Sequence, residues 1–188
     1  MRYIISLILL FSSYSFINAK TIMQIEVSGS IAGDIKIELM ENISPNHVKQ
    51  IINLVNNKKY DGVVFHRVIE GFMAQTGDVK FGNLFAGFSP AMVGRGGSDL
   101  DNLQSEFSNV PFDRGIVGMA RAQDPNSANS QFFIMLEDGH FLNGNYTVFG
   151  KVLSGMDIVD KIKKGEPNKN GMIEKDPDFM KKVIIKSE

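Results

Sequence analysis

Apolar and polar residues alternate in two neighbouring segments near the start of the chain. Thr21-Ile-Met-Gln-Ile-Glu-Val27 and Asp34-Ile-Lys-Ile-Glu-Leu39 both repeat with period two, the spacing of a strand with one buried face. Gly29 and Gly33 bracket the turn between them, which predicts a hairpin. The period then lengthens. Ser44-Pro45 reads as a helix N-cap followed by proline at the first helical position. Val48, Ile51, Ile52 and Val55 follow at helical spacing, so an amphipathic helix is expected from Pro45 to Asn57. Beyond Tyr60 the pattern predicts short strands at Val63–Arg67, Phe72–Thr76, Ile116–Met119, Gln131–Leu136, Tyr146–Val152 and Lys182–Lys186. A second short helix is expected after Ser154-Gly155, with Ile158, Val159 and Ile162 facing inward. Many short strands with one helix near each end suggest a closed antiparallel barrel with covered openings, although a sandwich has the same periodicity.

Residues 79–112 break the pattern with a long irregular stretch rich in Gly, Asn, Ser and Phe. Phe81, Phe85, Phe88 and Met92 need a surface to cover, so the stretch reads as an ordered loop packed on the domain or as the rim of a binding site.

The first nineteen residues differ in kind. A basic start at Arg2, an uncharged run from Ile4 to Ile17 and the small Ala19 match a secretory signal peptide cleaved after Ala19. The apolar run is too short for a spanning helix, which needs roughly 20 residues. One domain, residues 20–188, is then expected outside the cytoplasm, in the periplasm, without stable membrane association. That chain carries 19 basic and 21 acidic residues, so no nucleic-acid footprint is expected. Cysteine is absent, which excludes disulfides, thiolate metal sites and a lipid anchor through Cys. His47, His66 and His140 lack metal-ligand spacing. There is no nucleophile elbow and no phosphate-cradling loop, so neither a metal nor another cofactor is expected.

The densest block is Phe65-His-Arg-Val-Ile-Glu-Gly-Phe-Met-Ala-Gln-Thr-Gly-Asp78. Strand alternation would put Phe65 and Arg67 on one face, and Met73 with Gln75 on another shared face opposite Phe72. This block resembles the signature of the cyclophilins. Arg114-Gly-Ile-Val-Gly-Met-Ala-Arg-Ala122, Asn126-Ser-Ala-Asn-Ser-Gln-Phe-Phe-Ile134, Phe141-Leu142 and Val148-Phe-Gly-Lys151 extend the resemblance over the chain from residue 20 onward.

The resemblance implies a mainly β domain, a closed eight-stranded antiparallel barrel capped by two α-helices. It implies a peptidyl-prolyl cis-trans isomerase that needs no cofactor and acts on proline-containing polypeptides, here exported ones. Arg67 would be the catalytic arginine. Phe72, Met73, Phe133 and Leu142 would form the proline pocket, and Gln75 would hold the substrate backbone. Ala120 and Arg121 would offer main-chain groups to the residue before proline, and Gln131 would support the site. Phe65, His66, Phe141 and Tyr146 complete the implied substrate-binding set. Phe141 stands where eukaryotic members carry Trp and Tyr146 where they carry His, so only weak cyclosporin binding is expected. The segment 79–93 is an insertion, expected beside the pocket for residues preceding proline. With no spare apolar stripe, a monomer is expected.

Overall fold

In the computed structural model, which describes residues 19–188, nine strands form one antiparallel sheet with two α-helices beside it. The strands are β1 (Thr21–Ser28), β2 (Gly33–Leu39), β3 (Val63–Val64), β4 (Arg67–Ile69), β5 (Met73–Thr76), β6 (Ile116–Met119), β7 (Phe132–Met135), β8 (Val148–Ser154) and β9 (Phe179–Ser187). The helices are α1 (Pro45–Asn56) and α2 (Met156–Lys161). The proposed leader, residues 1–19, lies outside the described residues except for Ala19.

The strand order is β3-β9-β1-β2-β8-β6-β7-β5-β4. This corrects the expected closed barrel of eight strands: the sheet is a curled row of nine, with β3 and β4 at its two ends. The reason lies in the segment expected as one strand, Val63–Arg67. The Phe65 amide donates to Asp178 O at 2.9 Å, on the β9 side, whereas the His66 amide donates to Gln75 O at 3.2 Å, on the β5 side. The backbone changes partners between those two residues, so one expected strand becomes two. Phe65 and Arg67 therefore do not share a face. Phe65 is wholly buried in the main core, and Arg67 is only half-buried.

Alternation along the central strands feeds two apolar clusters. Ala74, Val117, Phe132 and Ile134 join Met23, Ile25, Ile35 and Ile37 in the main core. Met73, Ile116, Phe133 and Met135 point the other way, into a second cluster with Phe112, Leu142 and Val148. A strand buried on both faces carries a continuous apolar run, which is why Phe132-Phe-Ile-Met135 does not alternate. Helix α1 buries Val48, Ile51 and Val55 against the main core as expected, with Leu54 beside them, while Ile52 is only partly buried.

The start of α1 departs from expectation. Ser44 makes no side-chain cap, and its buried Oγ has no partner. Glu106, from the long loop, caps the helix in its place. Its carboxylate accepts the amides of Asn46 and His47 at 3.1 and 3.0 Å, a negative group where helix amides are free. It also lies 2.5 Å from His47 Nδ1. Burial pushes the His47 pKa down. Burial alone would raise that of Glu106, but the His47 and Asn46 hydrogen bonds outweigh it and the net shift is downward. At neutral pH the pair is thus an uncharged imidazole donating to a carboxylate.

The insertion divides: Ala91 and Val93 lie beside the site, as expected, while its first half packs on β3. Asn83 bridges to Val63, the Val64 amide donates to Gly82 O at 2.9 Å, and the Leu84 amide donates to Gly62 O at 2.9 Å. Phe85 meets the edge of Phe179 with centroids 5.9 Å apart. These contacts cover the open edge at β3, a place where an unpaired strand invites aggregation.

Candidate active site

The site lies over the second apolar cluster. Strand β5 pairs with β7, setting Gln75 opposite Phe133 and Met73 opposite Met135. On its other side β5 pairs with β4, setting Gln75 opposite Arg67. Two short ladders thereby place Arg67, Gln75 and Phe133 in one row across three strands. Gly118 sits opposite Phe133 on β6. A Cβ there would come within 2.6 Å of both Phe112 and Phe133, so a glycine is what lets the rings stack, with centroids 5.8 Å apart. Tyr146 packs edge-on against Phe133, also at 5.8 Å.

These residues surround a hollow of about 250 Å³ lined by Arg67, Phe72, Met73, Gln75, Ala120, Arg121, Phe133, Phe141, Leu142 and Tyr146. The structure thus brings together ten of the thirteen residues singled out in the sequence. Phe72 lines the hollow alongside Met73, not on an opposite face, because it lies in the turn before β5. Gln131 lines the adjoining hollow. Phe65 stands apart, in the core, and His66, 2% exposed beneath Gly94, lines a further hollow together with Arg67 and Gln75. Phe141 is 70% exposed and leans on Phe72, with centroids 5.4 Å apart.

The Arg67 head group is held from two sides. Nε and Nη2 donate to the backbone and side-chain oxygens of Asn170, both at 3.0 Å. Nη1 donates to Gln75 Oε1 at 3.1 Å. Gln75 Nε2 donates to Gln131 Oε1 at 3.0 Å, and Gln131 Nε2 donates to Gly96 O at 2.7 Å and Gly94 O at 3.1 Å. Burial lowers the Arg67 pKa from its ordinary value, yet arginine starts so high that it stays charged at neutral pH. All of the hydrogen-bond acceptors on the guanidinium are neutral, so its charge is oriented without being cancelled.

Arg121 behaves differently. Its guanidinium stacks 4.5 Å from the Tyr146 ring centre and donates to the carbonyls of Asn145, Ala122 and Gln123. That side chain braces the loop and leaves the Ala120–Arg121 backbone lining the hollow.

A second hollow of about 480 Å³ adjoins the first, lined by Gly94, Gly96, Gly97, Ser98, Asn129 and Gln131 among others. Its glycine-rich wall hangs on one buried carboxylate. Asp78 Oδ2 accepts the amides of Gly94 and Gly96 at 2.7 and 2.9 Å, and Oδ1 accepts those of Lys80 and Phe81 at 3.1 and 2.9 Å. Both ends of the insertion are tied to the same side chain.

Sequence reasoning missed two supports. In the sequence Asp78 is simply the last residue of the dense block. Asn170 carries one local signal: Asn170-Gly171 is a turn dipeptide, and Asn tolerates the left-handed backbone it adopts, at φ 54°.

A rigid apolar cup with one charged donor at its lip, flanked by main-chain groups, can grip a small ring and a length of extended backbone. With this curled sheet it defines a protein of the cyclophilin fold. A cyclophilin type peptidyl-prolyl cis-trans isomerase from Cryptosporidium parvum, solved in the presence of the dipeptide Ala-Pro, superposes with a TM-score of 0.73 at 27% identity, covering 89% of this chain and 99% of that one. The family model for the cyclophilin type peptidyl-prolyl cis-trans isomerases matches residues 22–187, and the chain belongs to that family. A Brucella suis protein named "Probable peptidyl-prolyl cis-trans isomerase" is 61% identical over 156 residues, 83% of this chain and 79% of that protein. Peptidyl-prolyl cis-trans isomerase B of Escherichia coli is 37% identical over 164 residues, 82% and 92% of the two chains. The chain is a peptidyl-prolyl cis-trans isomerase of the cyclophilin type.

Proposed function

We propose that this enzyme turns X-Pro bonds in exported polypeptides and thereby assists their folding, with Arg67 stabilising the half-rotated amide. The observation that carries the reading is a charged, uncancelled guanidinium held at the lip of the cup formed by Phe72, Met73, Phe133 and Leu142.

The physics is simple. An amide is planar because nitrogen shares its lone pair with the carbonyl, and rotation costs about 18–20 kcal/mol. Uncatalysed X-Pro exchange takes tens to hundreds of seconds. At the twisted midpoint the lone pair returns to nitrogen, which becomes a hydrogen-bond acceptor. A donor aimed there stabilises the midpoint more than either planar end. Arg67 fits because it stays charged and its fork is stiff. The apolar cup holds the ring still while the acyl side turns, and it excludes competing water. A rate of ~10³ per second needs roughly 10⁵-fold acceleration, about 7 kcal/mol. A charge-assisted hydrogen bond in a dry site supplies about 3–4 kcal/mol of this, and positioning supplies much of the rest. No proton transfer or covalent intermediate is needed.

The Ala120–Arg121 backbone and Gln75 are then the groups that hold the substrate main chain, with Gln131 steadying Gln75. His66 and Phe65 act from beneath, as packing under Arg67. The exposed Phe141 offers no indole N–H, which supports weak cyclosporin binding. The pattern of residues 1–19 supports export with cleavage after Ala19, and the mature chain is read as a monomer.

Magnetisation-exchange NMR on an Ala-Pro peptide, with the protein at catalytic concentration, tests the reading. Exchange between cis and trans signals is expected with the wild-type chain and is lost in Arg67→Ala. A binding module would shift the peptide signals without exchanging them, and that result would defeat the proposal. Mass spectrometry of the exported chain is expected to find Lys20 at its start; an intact Met1 would contradict export by cleavage.

A further inference from the structure

A third hollow, of about 230 Å³, opens beside the first two. Arg67 and Gln75 line both it and the proline cup, so this pair forms the partition. Its apolar wall is Ala91, Val93 and Met172, and two of these come from the insertion. Arg95 lines it as well, and no carboxylate does. Among the described residues Arg95 takes part in no ion pair. Below lies His66, 2% exposed, with no hydrogen-bond partner on either ring nitrogen. Its Nε2–Cδ2 edge faces Gly94 at the rim, lying 3.4 and 3.3 Å from where a Cβ would stand. Burial pushes its pKa down to about 4, against the nearby Asp78 carboxylate and weak hydrogen bonding from Val64 and Gln131, so the ring is neutral and its N–H lacks a close partner.

Arg95 with no ion-pair partner, a buried neutral imidazole whose N–H lacks a close partner and a short apolar wall describe a receptor for an anionic head on a methylene stem. We propose that this hollow is a subsite for the carboxylate side chain of a glutamate or aspartate close to the proline of the client. The stem would lie on Val93 and Met172, with the head between Arg95 and the His66 ring. The inference rests on the isomerase reading above and adds a preference that the proline cup alone does not provide. The insertion supplies part of the wall, so the preference belongs to this chain's own loop.

The test is a series of alanine peptides with one proline, in which Glu, Gln or Lys occupies in turn each of the three positions on either side. At one position kcat/KM for Glu is expected to exceed that for Lys by about fivefold or more at low salt, since attraction and repulsion both contribute. The ratio should shrink as salt is added. Arg95→Gln should bring it close to one, and Arg95→Glu should invert it. A flat charge profile at all six positions would overturn the proposal, as would a Glu preference that survives Arg95→Glu. The uncharged alanine peptide separates the two levels. If the wild-type chain fails to isomerise it, the isomerase reading itself fails. If that peptide turns over while charge has no effect, only the subsite fails.

Discussion

The proline cup has two walls, and they are built on different principles. One is carried by strands: Met73 and Phe133 sit on β5 and β7, are 2% and 5% exposed, and rest on a packed cluster. The other is carried by loops, where Asn170 holds Arg67 and the Gly94 and Gly96 carbonyls hold Gln131, which in turn holds Gln75. Val93 and Ile173 bury one apolar side chain beside each loop, but the loops' own course is fixed mainly by polar groups. Single polar side chains from distant parts of the chain do it: Asp78 ties the glycine loop, Asn129 accepts the Ser98 amide at 2.7 Å, and Asn170 holds Arg67. The strand wall gives the cup its shape through close packing. The loop wall aims the charge through a few hydrogen bonds. Shape and aim can therefore be damaged separately.

The largest effect should come from the strand wall. Phe133→Ala removes a ring stacked on Phe112 and is expected to cost about 4 kcal/mol of stability, measured by urea unfolding, together with the ring-gripping activity. A loss under about 1 kcal/mol would mean that the wall is not packed as described.

His66 lies where the two walls meet and gives a pH test. Its pKa is about 4 in the folded chain against an ordinary 6.5. As pH falls below about 6.5 the unfolded chain takes up this proton first, so stability declines until the folded pKa is reached near 4. The expected total is about 3 kcal/mol. Arg67 beside it opposes protonation while Asp78 favours it, but burial is the dominant cause. Replacing His66 with Gln should reduce the slope of the unfolding midpoint over that pH window, leaving the smaller share due to His47. An unchanged slope would contradict the assignment.

Asp78→Ala attacks the loop wall alone. Four amides lose their acceptor, but a loosened loop can offer them to water, so about 2 kcal/mol is expected. Hydrogen exchange should accelerate at Lys80, Phe81, Gly94 and Gly96 while the β5 and β7 amides stay protected. Equal acceleration in both regions would erase the distinction between the walls.

The smallest effect on stability, and the sharpest on aim, belongs to Asn170→Gly, which keeps the left-handed backbone at φ 54°. It frees Arg67 Nη2, while the backbone carbonyl still accepts from Nε. A fall in kcat of about tenfold is expected, about 1.4 kcal/mol, with KM and the unfolding midpoint nearly unchanged. A change in KM alone would assign Asn170 to substrate binding.

The strand wall was legible in the sequence because packing leaves a period. The alternation of Met73 and Gln75 and the unbroken Phe132–Met135 run follow from one or two buried faces, and helix α1 announces itself at i, i+3 and i+4. The loop wall leaves no period. Glu106 caps α1 from 59 residues beyond His47, and Asn170 reaches Arg67 across 103. Such pairs are set by the path of the chain, which local pattern does not encode. The partner switch between Phe65 and His66 was hidden for the same reason: every residue from Val63 to Arg67 suits a strand, and only the two neighbouring strands reveal the break. The apolar residues of the insertion cover a surface only in part: Phe85 touches Phe179 at the β3 edge but is 66% exposed, and Met92 is exposed too.

The most direct measurement separates grip from catalysis at Arg67. Binding of an Ala-Pro peptide and its cis-trans exchange rate at saturation can be followed by NMR in the same samples of wild type and Arg67→Ala. If Arg67 acts on the half-turned bond, Arg67→Ala binds the planar peptide within a few-fold of wild type while exchange falls by about 100-fold or more. If exchange at saturation stays within about twofold, or falls only in proportion to lost binding, the guanidinium is no more than part of the cup.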